Sequence, residues 1–369
     1  MHKLTFFPIG NADCCLIDLD NKKKILFDYA NCKDPDDEDD LRVDLAAALR
    51  SDLDKDKIDY YDVVAFTHAD DDHIHGFSEF FYLEHAEKYQ DDKRIKINEL
   101  WVPAALIIEE GLKDEAAVLR AEARHRFKAG KNIRVFSRPD RLKEWADKEG
   151  INIEDRKSII TDAGQLVPGF DKISQGVEFF VHSPFAIHQE DKLIDHNDSA
   201  IIMQAVFSYN GVETKLFLSS DATNDILIDI VNITRFHKRD NRLGWDVMKI
   251  PHHCSYTALS EEKGEDKTEP AEEVKWLFEQ GGQKGLMVSP SKIIPDNDDD
   301  DLPPHRQAAN YYKERAAVIN GEFIAMMEFP KKSAPAPLVI TIDNYGATLK
   351  KTIAVGGFDI INRPAPKAG

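Results

Sequence analysis

The run Val63-Val-Ala-Phe-Thr67 passes directly into His68-Ala-Asp70-Asp-Asp72-His73. An apolar stretch that reads as a buried strand therefore ends in four candidate metal ligands: His68, Asp70, Asp72 and His73. A short loop leaving a strand can turn its side chains toward one point. Imidazole and carboxylate together suit divalent metals such as Zn²⁺, Mn²⁺ or Fe. An acidic surface turn is the plainer reading, but the apolar flank and the distant partners favour a site.

Working outward, the segments before this run read as strands: Leu4–Ile9, Cys14–Leu19 and Ile25–Tyr29, punctuated by Gly10-Asn-Ala-Asp13 and Asp20-Asn-Lys-Lys23. The acidic stretch Asp34-Pro-Asp-Asp-Glu-Asp-Asp40 reads as a loop before a helix from Leu41 to about Leu53. A helix carrying Phe77, Phe80, Phe81 and Leu83 follows the ligand cluster. Short strands and charged helices then alternate from about Tyr89 to Gly176, with helices expected at Asp114–Ala129 and Arg138–Lys148. Further strands are expected at Val177–His182, Ala200–Ser208, Thr214–Leu218, Val247–Ile250, Gly285–Ser289, Phe323–Glu328, Leu338–Ile342 and Thr348–Ile353. Helices are expected at Ala222–Phe236, Glu272–Gln280 and Arg306–Ala316. Two runs of strands, each with its own helices, imply two packed sheets with helices on their outer faces. That is an α/β four-layer αββα sandwich, read as a single domain over residues 1–369 with a helical insertion at about 89–176.

The bulk properties narrow the function. The chain has 369 residues, 42% of them hydrophobic, enough for a large core. No apolar run reaches the roughly 18 residues of a membrane span, and the N-terminus reads as a first strand rather than a secretory signal. Four cysteines, Cys14, Cys15, Cys32 and Cys254, form no disulfide or zinc spacing, so a reduced, cytoplasmic protein is expected. A net charge of −19 opposes binding to a long nucleic acid without a partner, or to an anionic membrane. A small or short anionic substrate, or a protein partner, remains compatible. One basic stretch stands out: Arg120, Arg124, His125, Arg126, Lys128, Lys131 and Arg134, interrupted by Glu122. It reads first as a solvated helix face and second as a rim for phosphate or an acidic partner.

Six motifs in order resemble the metallo-β-lactamase-fold hydrolases, above all the soluble hydrolase domain of ComEC-type competence proteins. Gly10-Asn-Ala-Asp13 sits where that family has a Gly-Gln-Gly-Asp turn, and Ile25-Leu-Phe-Asp28 resembles its third strand. Thr67-His-Ala-Asp-Asp-Asp-His73 resembles the Thr-His-x-His-x-Asp-His signature. His196-Asn-Asp-Ser199 resembles the third metal motif, and Leu218-Ser-Ser-Asp221 the strand ending in a bridging aspartate. Lys249-Ile-Pro-His-His-Cys-Ser255 resembles Lys-x-Pro-His-His-Gly-Ser. The resemblance spans Met1 to about Ser289 and continues weakly through Pro304-His305.

It implies two divalent ions, Zn²⁺ or Mn²⁺. One ion would be held by His68, Asp70 and the His196/Asn197 position. The other would be held by Asp72, His73 and one of His252 or His253, with Asp221 bridging. Asp72, His252 and His253 would then carry catalysis, with Ser255, Cys254 and His305 as possible neighbours of the ligands or the substrate. Three departures stand out. Asp70 replaces the signature's second histidine. Two divalent ions with ionised Asp70, Asp72 and Asp221 keep a formal charge of about +1, against about +2 for a two-aspartate site. This favours harder ions such as Mn²⁺. At the third motif, ligand strength favours His196 and the family pattern favours Asn197. Cys254 replaces the usual glycine.

The resemblance implies a metallohydrolase, a nuclease or nucleotide phosphodiesterase, that cleaves phosphodiesters with a metal-activated hydroxide. The same donor set could attack the carbonyl of a lactone, thioester or amide. A binding or assembly protein with a degenerate metal site is the non-enzymatic alternative.

Overall fold

The computed structural model describes residues 1–189, 195–299 and 301–350. Among them the strands are β1 (His2–Phe6), β2 (Cys15–Asp18), β3 (Lys24–Phe27), β4 (Tyr60–Ala65), β5 (Lys96–Pro103), β6 (Ile133–Phe136), β7 (Ile160–Thr161), β8 (Val177–Ser183), β9 (Ile202–Tyr209), β10 (Val212–Leu218), β11 (Trp245–Lys249), β12 (Gly281–Ser289), β13 (Glu322–Ala325), β14 (Leu338–Asp343) and β15 (Gly346–Leu349). One sheet runs β15-β14-β1-β2-β3-β4-β5-β6-β7 and the other β13-β12-β11-β10-β9-β8. Strands β3 to β7 are mutually parallel, as are β10 to β13. The chain is thus a mixed α/β structure of two sheets with helices.

Alternation along the strands sorts the core. In β4, Val63 and Ala65 join a cluster shared with Val177, Phe179, Met203 and Leu216 of the second sheet, whereas Val64 faces a helical layer. Cys14 and Cys15 divide in the same way. Trp101 anchors the shared cluster, with ring centroids 5.5 Å from Phe136 and Phe179 and 5.6 Å from Phe170. The helical side of the first sheet packs α1 (Leu45–Asp56), α2 (Asp71–Ile74), α3 (Phe77–Phe80), α4 (Ala104–Ile108), α5 (Asp114–Ala129) and α6 (Asp140–Lys148). A third cluster unites the second sheet with α7 (Asn224–Phe236), α8 (Glu272–Glu279) and α9 (Arg306–Val318). None of the described helices is long and apolar enough to cross a membrane.

Several boundaries move for identifiable reasons. Helix α1 begins at Leu45, not Leu41, because the Asp44 carboxylate caps the Ala47 amide at 2.9 Å and Asn31 Oδ1 accepts from the Leu45 amide at 2.9 Å. Strand β13 stops at Ala325, and a 3₁₀ turn, Met326–Glu328, replaces the rest of the expected strand. Of the expected strand Thr348–Ile353, the last three residues lie outside the described residues.

The basic stretch is a solvated face only in part: His125, Lys128 and Lys131 are exposed, but its centre is not. Arg126 and Glu122 are fully buried, with Arg126 Nε 2.7 Å from Glu122 Oε1. Glu122 also accepts from the Glu84 and His85 amides, both at 3.0 Å. The i,i+4 spacing put the two charges on one face, and burial made them mutual partners. Arg120 and Arg124 donate to the Glu109 and Ile107 carbonyls at 2.9 and 2.8 Å, which closes the C-terminal end of α4.

His182 of β8 is buried between Phe180 and Phe217, and Nε2 donates to the Arg242 carbonyl at 3.0 Å. Burial lowers its pKa to about 4. The unfolded chain therefore binds a proton that the folded chain refuses. This stabilisation is complete above about pH 6.5 and is lost as pH falls toward 4, on the order of 3 kcal/mol in all. Thermal unfolding followed from pH 7 to 4 should show a drop that His182→Gln reduces; an identical drop in the variant would contradict the assignment.

Candidate metal centre

The parallel strands β3 and β4, and β10 and β11, end on one edge, and the loops leaving them carry the polar residues. Three loops take left-handed backbone at residues other than glycine. Asp28 has φ 58°, Ser220 φ 47°, and His252, His253 and Cys254 φ 48°, 49° and 67°. Such conformations persist where the surroundings over-determine them, and they gather at functional sites. At Cys254 a glycine would sit without that strain.

Asp28 organises the start of the site. Its carboxylate accepts from the Thr67 amide at 2.7 Å and the Thr67 hydroxyl at 2.8 Å, and it lies 2.9 Å from His73 Nδ1. Nδ1–H is thereby spent on Asp28, and Nε2 faces inward. His73 Nε2 lies 3.2 Å from Asp221 Oδ1 and 3.4 Å from Asp13 Oδ2. His253 repeats the device: Nδ1 donates to the Pro290 carbonyl at 2.7 Å, and Nε2 lies 3.0 Å from Asp72 Oδ2 and 3.1 Å from Asp221 Oδ2. Asp13, His73, Asp221 and His253 form one buried group that could hold an ion, and His68, Asp72 and His73 form a second.

Charge follows geometry. Burial opposes charge on His73, but Asp221, Asp28 and Asp13 outweigh it and raise its pKa well above the usual value. His253 is raised to about 10 against burial, by Asp221 and Asp72. Asp72 is pulled down to about 2, against burial, by His253 and His73. A cation bound among these carboxylates would compete with protons for the imidazole nitrogens. Burial, helped by the charge on His73, lowers His68 to about 4, and burial with the charges on His253 and His73 also lowers His252.

The donor set suits divalent ions. His68 Nε2 is buried without a hydrogen-bond partner, and His73 Nε2 and Asp221 Oδ1, though 3.2 Å apart, are not aligned for one, a cost that coordination would remove. Imidazole nitrogen with carboxylate oxygen suits Zn²⁺ or Mn²⁺.

The structure distributes the sequence candidates unevenly. His68, Asp72, His73, Asp221 and His253 converge. Asp70 Oδ2 lies 3.6 Å from His68 Nε2, while Oδ1 contacts His196 Nδ1. His196 Nε2 lies 2.8 Å from Glu109 Oε2, and these two carboxylates raise its pKa to about 10. Asn197 Oδ1 is buried without a hydrogen-bond partner. His252 is less constrained than its neighbour, with Nδ1 3.4 Å from Thr257 Oγ1. Ser255 Oγ lies 2.9 Å from that same hydroxyl. Cys254 is no neighbour of a substrate, because its side chain packs in the core shared with α7, α8 and α9. His305 is buried rather than at the surface: Nδ1 accepts from the Tyr256 amide at 3.3 Å and Nε2 donates to the Asp301 carbonyl at 3.2 Å, tying α9 to the histidine loop.

Two participants escaped the sequence reading of the site. Asp13 and Lys249 belong to motifs quoted above but were not counted with the ligands. Lys249 Nζ is buried 2.7 Å from Asp13 Oδ2, 3.0 Å from the Ser220 carbonyl and 3.8 Å from Asp221 Oδ1. A lysine ending an otherwise apolar strand, Trp245–Lys249, was the available signal.

No protein-family model matches this chain, and no curated protein matches it. Among solved structures, a protein from Parabacteroides distasonis described as a "Putative metal-dependent hydrolase" aligns over 87% of this chain and 92% of its own, at 8% identity and a TM-score of 0.33. A likeness that slight transfers neither fold nor activity to this chain.

Proposed function

We propose that this chain is a metal-dependent hydrolase of phosphodiesters, built on the four-layer αββα arrangement of the metallo-β-lactamase fold. The observation that carries the reading is the convergence of His68, Asp72, His73, Asp221 and His253 into two adjoining, carboxylate-rich donor groups that share His73. The layer assignment is supported by one core shared between the sheets and two helical cores outside them. The choice of phosphodiester is supported by the ordered resemblance to ComEC-type hydrolase domains.

Bound divalent ions would supply Lewis acidity toward the oxygens of the scissile group and acidify a water. The chain's own residues do the rest. Asp28 and the Pro290 carbonyl hold the Nδ1 protons of His73 and His253, so both Nε2 atoms face the carboxylates. His252, kept neutral by burial and placed by Thr257, would take the proton released by the attacking water and return it to the leaving oxygen. The overall negative charge favours a small or short anionic substrate, drawn by the local cations rather than by the surface. The four free thiols suit a reducing, cytoplasmic setting.

The test is a panel of phosphodiesters, lactones and thioesters presented to the purified chain with Mn²⁺ or Zn²⁺. Turnover confined to phosphodiesters is expected. Turnover only of carbonyl substrates, or of none, would overturn the reading.

A further inference from the structure

We propose that His196 is not a metal ligand but a positioning residue that fixes Asp70, and that Glu109 holds His196 in that role. The inference rests on the metal-centre reading above and assigns the third-motif histidine a different task from the expected one.

The geometry leaves His196 no free donor. Nδ1 contacts Asp70 Oδ1, and Nε2 lies 2.8 Å from Glu109 Oε2. An imidazole coordinates through one nitrogen lone pair, and both nitrogens here face carboxylate oxygens. Asp70, by contrast, keeps one oxygen available: Oδ2 lies 3.6 Å from the orphaned, buried His68 Nε2. A carboxylate whose rear oxygen is tied by an imidazole, itself tied by a second carboxylate, resembles a ligand fixed by its outer partners. The neighbouring residue shows the converse, since Asn197 Oδ1 is buried and unpartnered.

Glu109 has its own support. It directly follows α4, inside the stretch 89–176 read as an insertion. Its carbonyl accepts from Arg120 at 2.9 Å, and its neighbour Glu110 pairs with Arg124 at 2.8 Å. The basic helix α5 thus holds in place the loop that supplies Glu109. The inserted stretch thus provides the residue that accommodates the aspartate at position 70.

Titration calorimetry with Mn²⁺, and separately with Zn²⁺, tests the clamp without any substrate. His196→Ala and Glu109→Ala should each keep the wild-type number of ions per chain and weaken one of them by about 10–100-fold. The double variant should lose no more than either single one, because both act on Asp70 through one chain of contacts. Glu109→Gln, which keeps an acceptor oxygen, should lose less than Glu109→Ala. Loss of one ion in His196→Ala, with wild-type affinity in Glu109→Ala, would overturn the clamp while leaving the metal centre intact. Should His196→Ala not fold, wild-type affinity in Glu109→Ala alone overturns it. A wild-type chain that binds no divalent ion overturns the clamp and the proposed function together.

Discussion

Asp221→Asn should lower phosphodiester turnover by at least the roughly 10²–10³-fold that loss of one preorganised electrostatic group costs, and should leave the protein with fewer divalent ions. The substitution preserves shape, so the change isolates charge. Asp221 faces His73 Nε2 at 3.2 Å and His253 Nε2 at 3.1 Å, and so touches both imidazoles of the fully buried group. An amide offers one neutral oxygen, and its NH₂ would oppose a cation. Metal content by atomic emission, with turnover measured on the same preparation, checks both halves. Wild-type turnover in this variant would remove Asp221 from the chemistry.

Lys249→Met should destabilise the metal-free protein by about 3–5 kcal/mol, the usual cost of removing one partner from a buried ion pair. Lys249 is buried, and its ammonium group serves Asp13, the Ser220 carbonyl and Asp221. Burial works against its charge, but Asp13 and Asp221 prevail and raise its pKa. Methionine fills similar space and returns none of the charge, so Asp13 would face the interior without its ammonium partner. Denaturant unfolding in the presence of a chelator measures the loss. Added Mn²⁺ should recover part of it, because a second cation then faces the same carboxylates. A loss under about 1 kcal/mol would show that Asp13 and Asp221 do not need the lysine.

Much of this architecture can be read locally. Helix α5 occupies the expected span Asp114–Ala129, and Cys14 and Cys15, at the entry to β2, point to opposite cores as expected of extended neighbours. The ligand cluster after β4 follows from one strand and one loop. What could not be read depends on partners far away in the chain. Asp13 reads as turn punctuation until Lys249, 236 positions later, is seen beside it. His196 reads as a ligand because nothing near it in sequence shows Glu109, 87 positions earlier, taking its second nitrogen. The charged run of α5 reads as solvated because sequence does not show that Glu122 meets two backbone amides as well as Arg126. In each case an unusual residue was visible and its partner was not. The same limit applies to the charge count at the metals, since Asp70 shares its charge with His196.

The most direct test of the account is turnover of a generic phosphodiester by chelated protein before and after addition of Mn²⁺, for the wild type and for Asp72→Ala. Asp72 Oδ2 lies 3.0 Å from His253 Nε2, at the junction of the two donor groups. The account predicts no turnover in the chelated wild type, recovery when Mn²⁺ is added, and no recovery in Asp72→Ala. Equal turnover with and without metal, or an Asp72→Ala protein as active as the wild type, would contradict it.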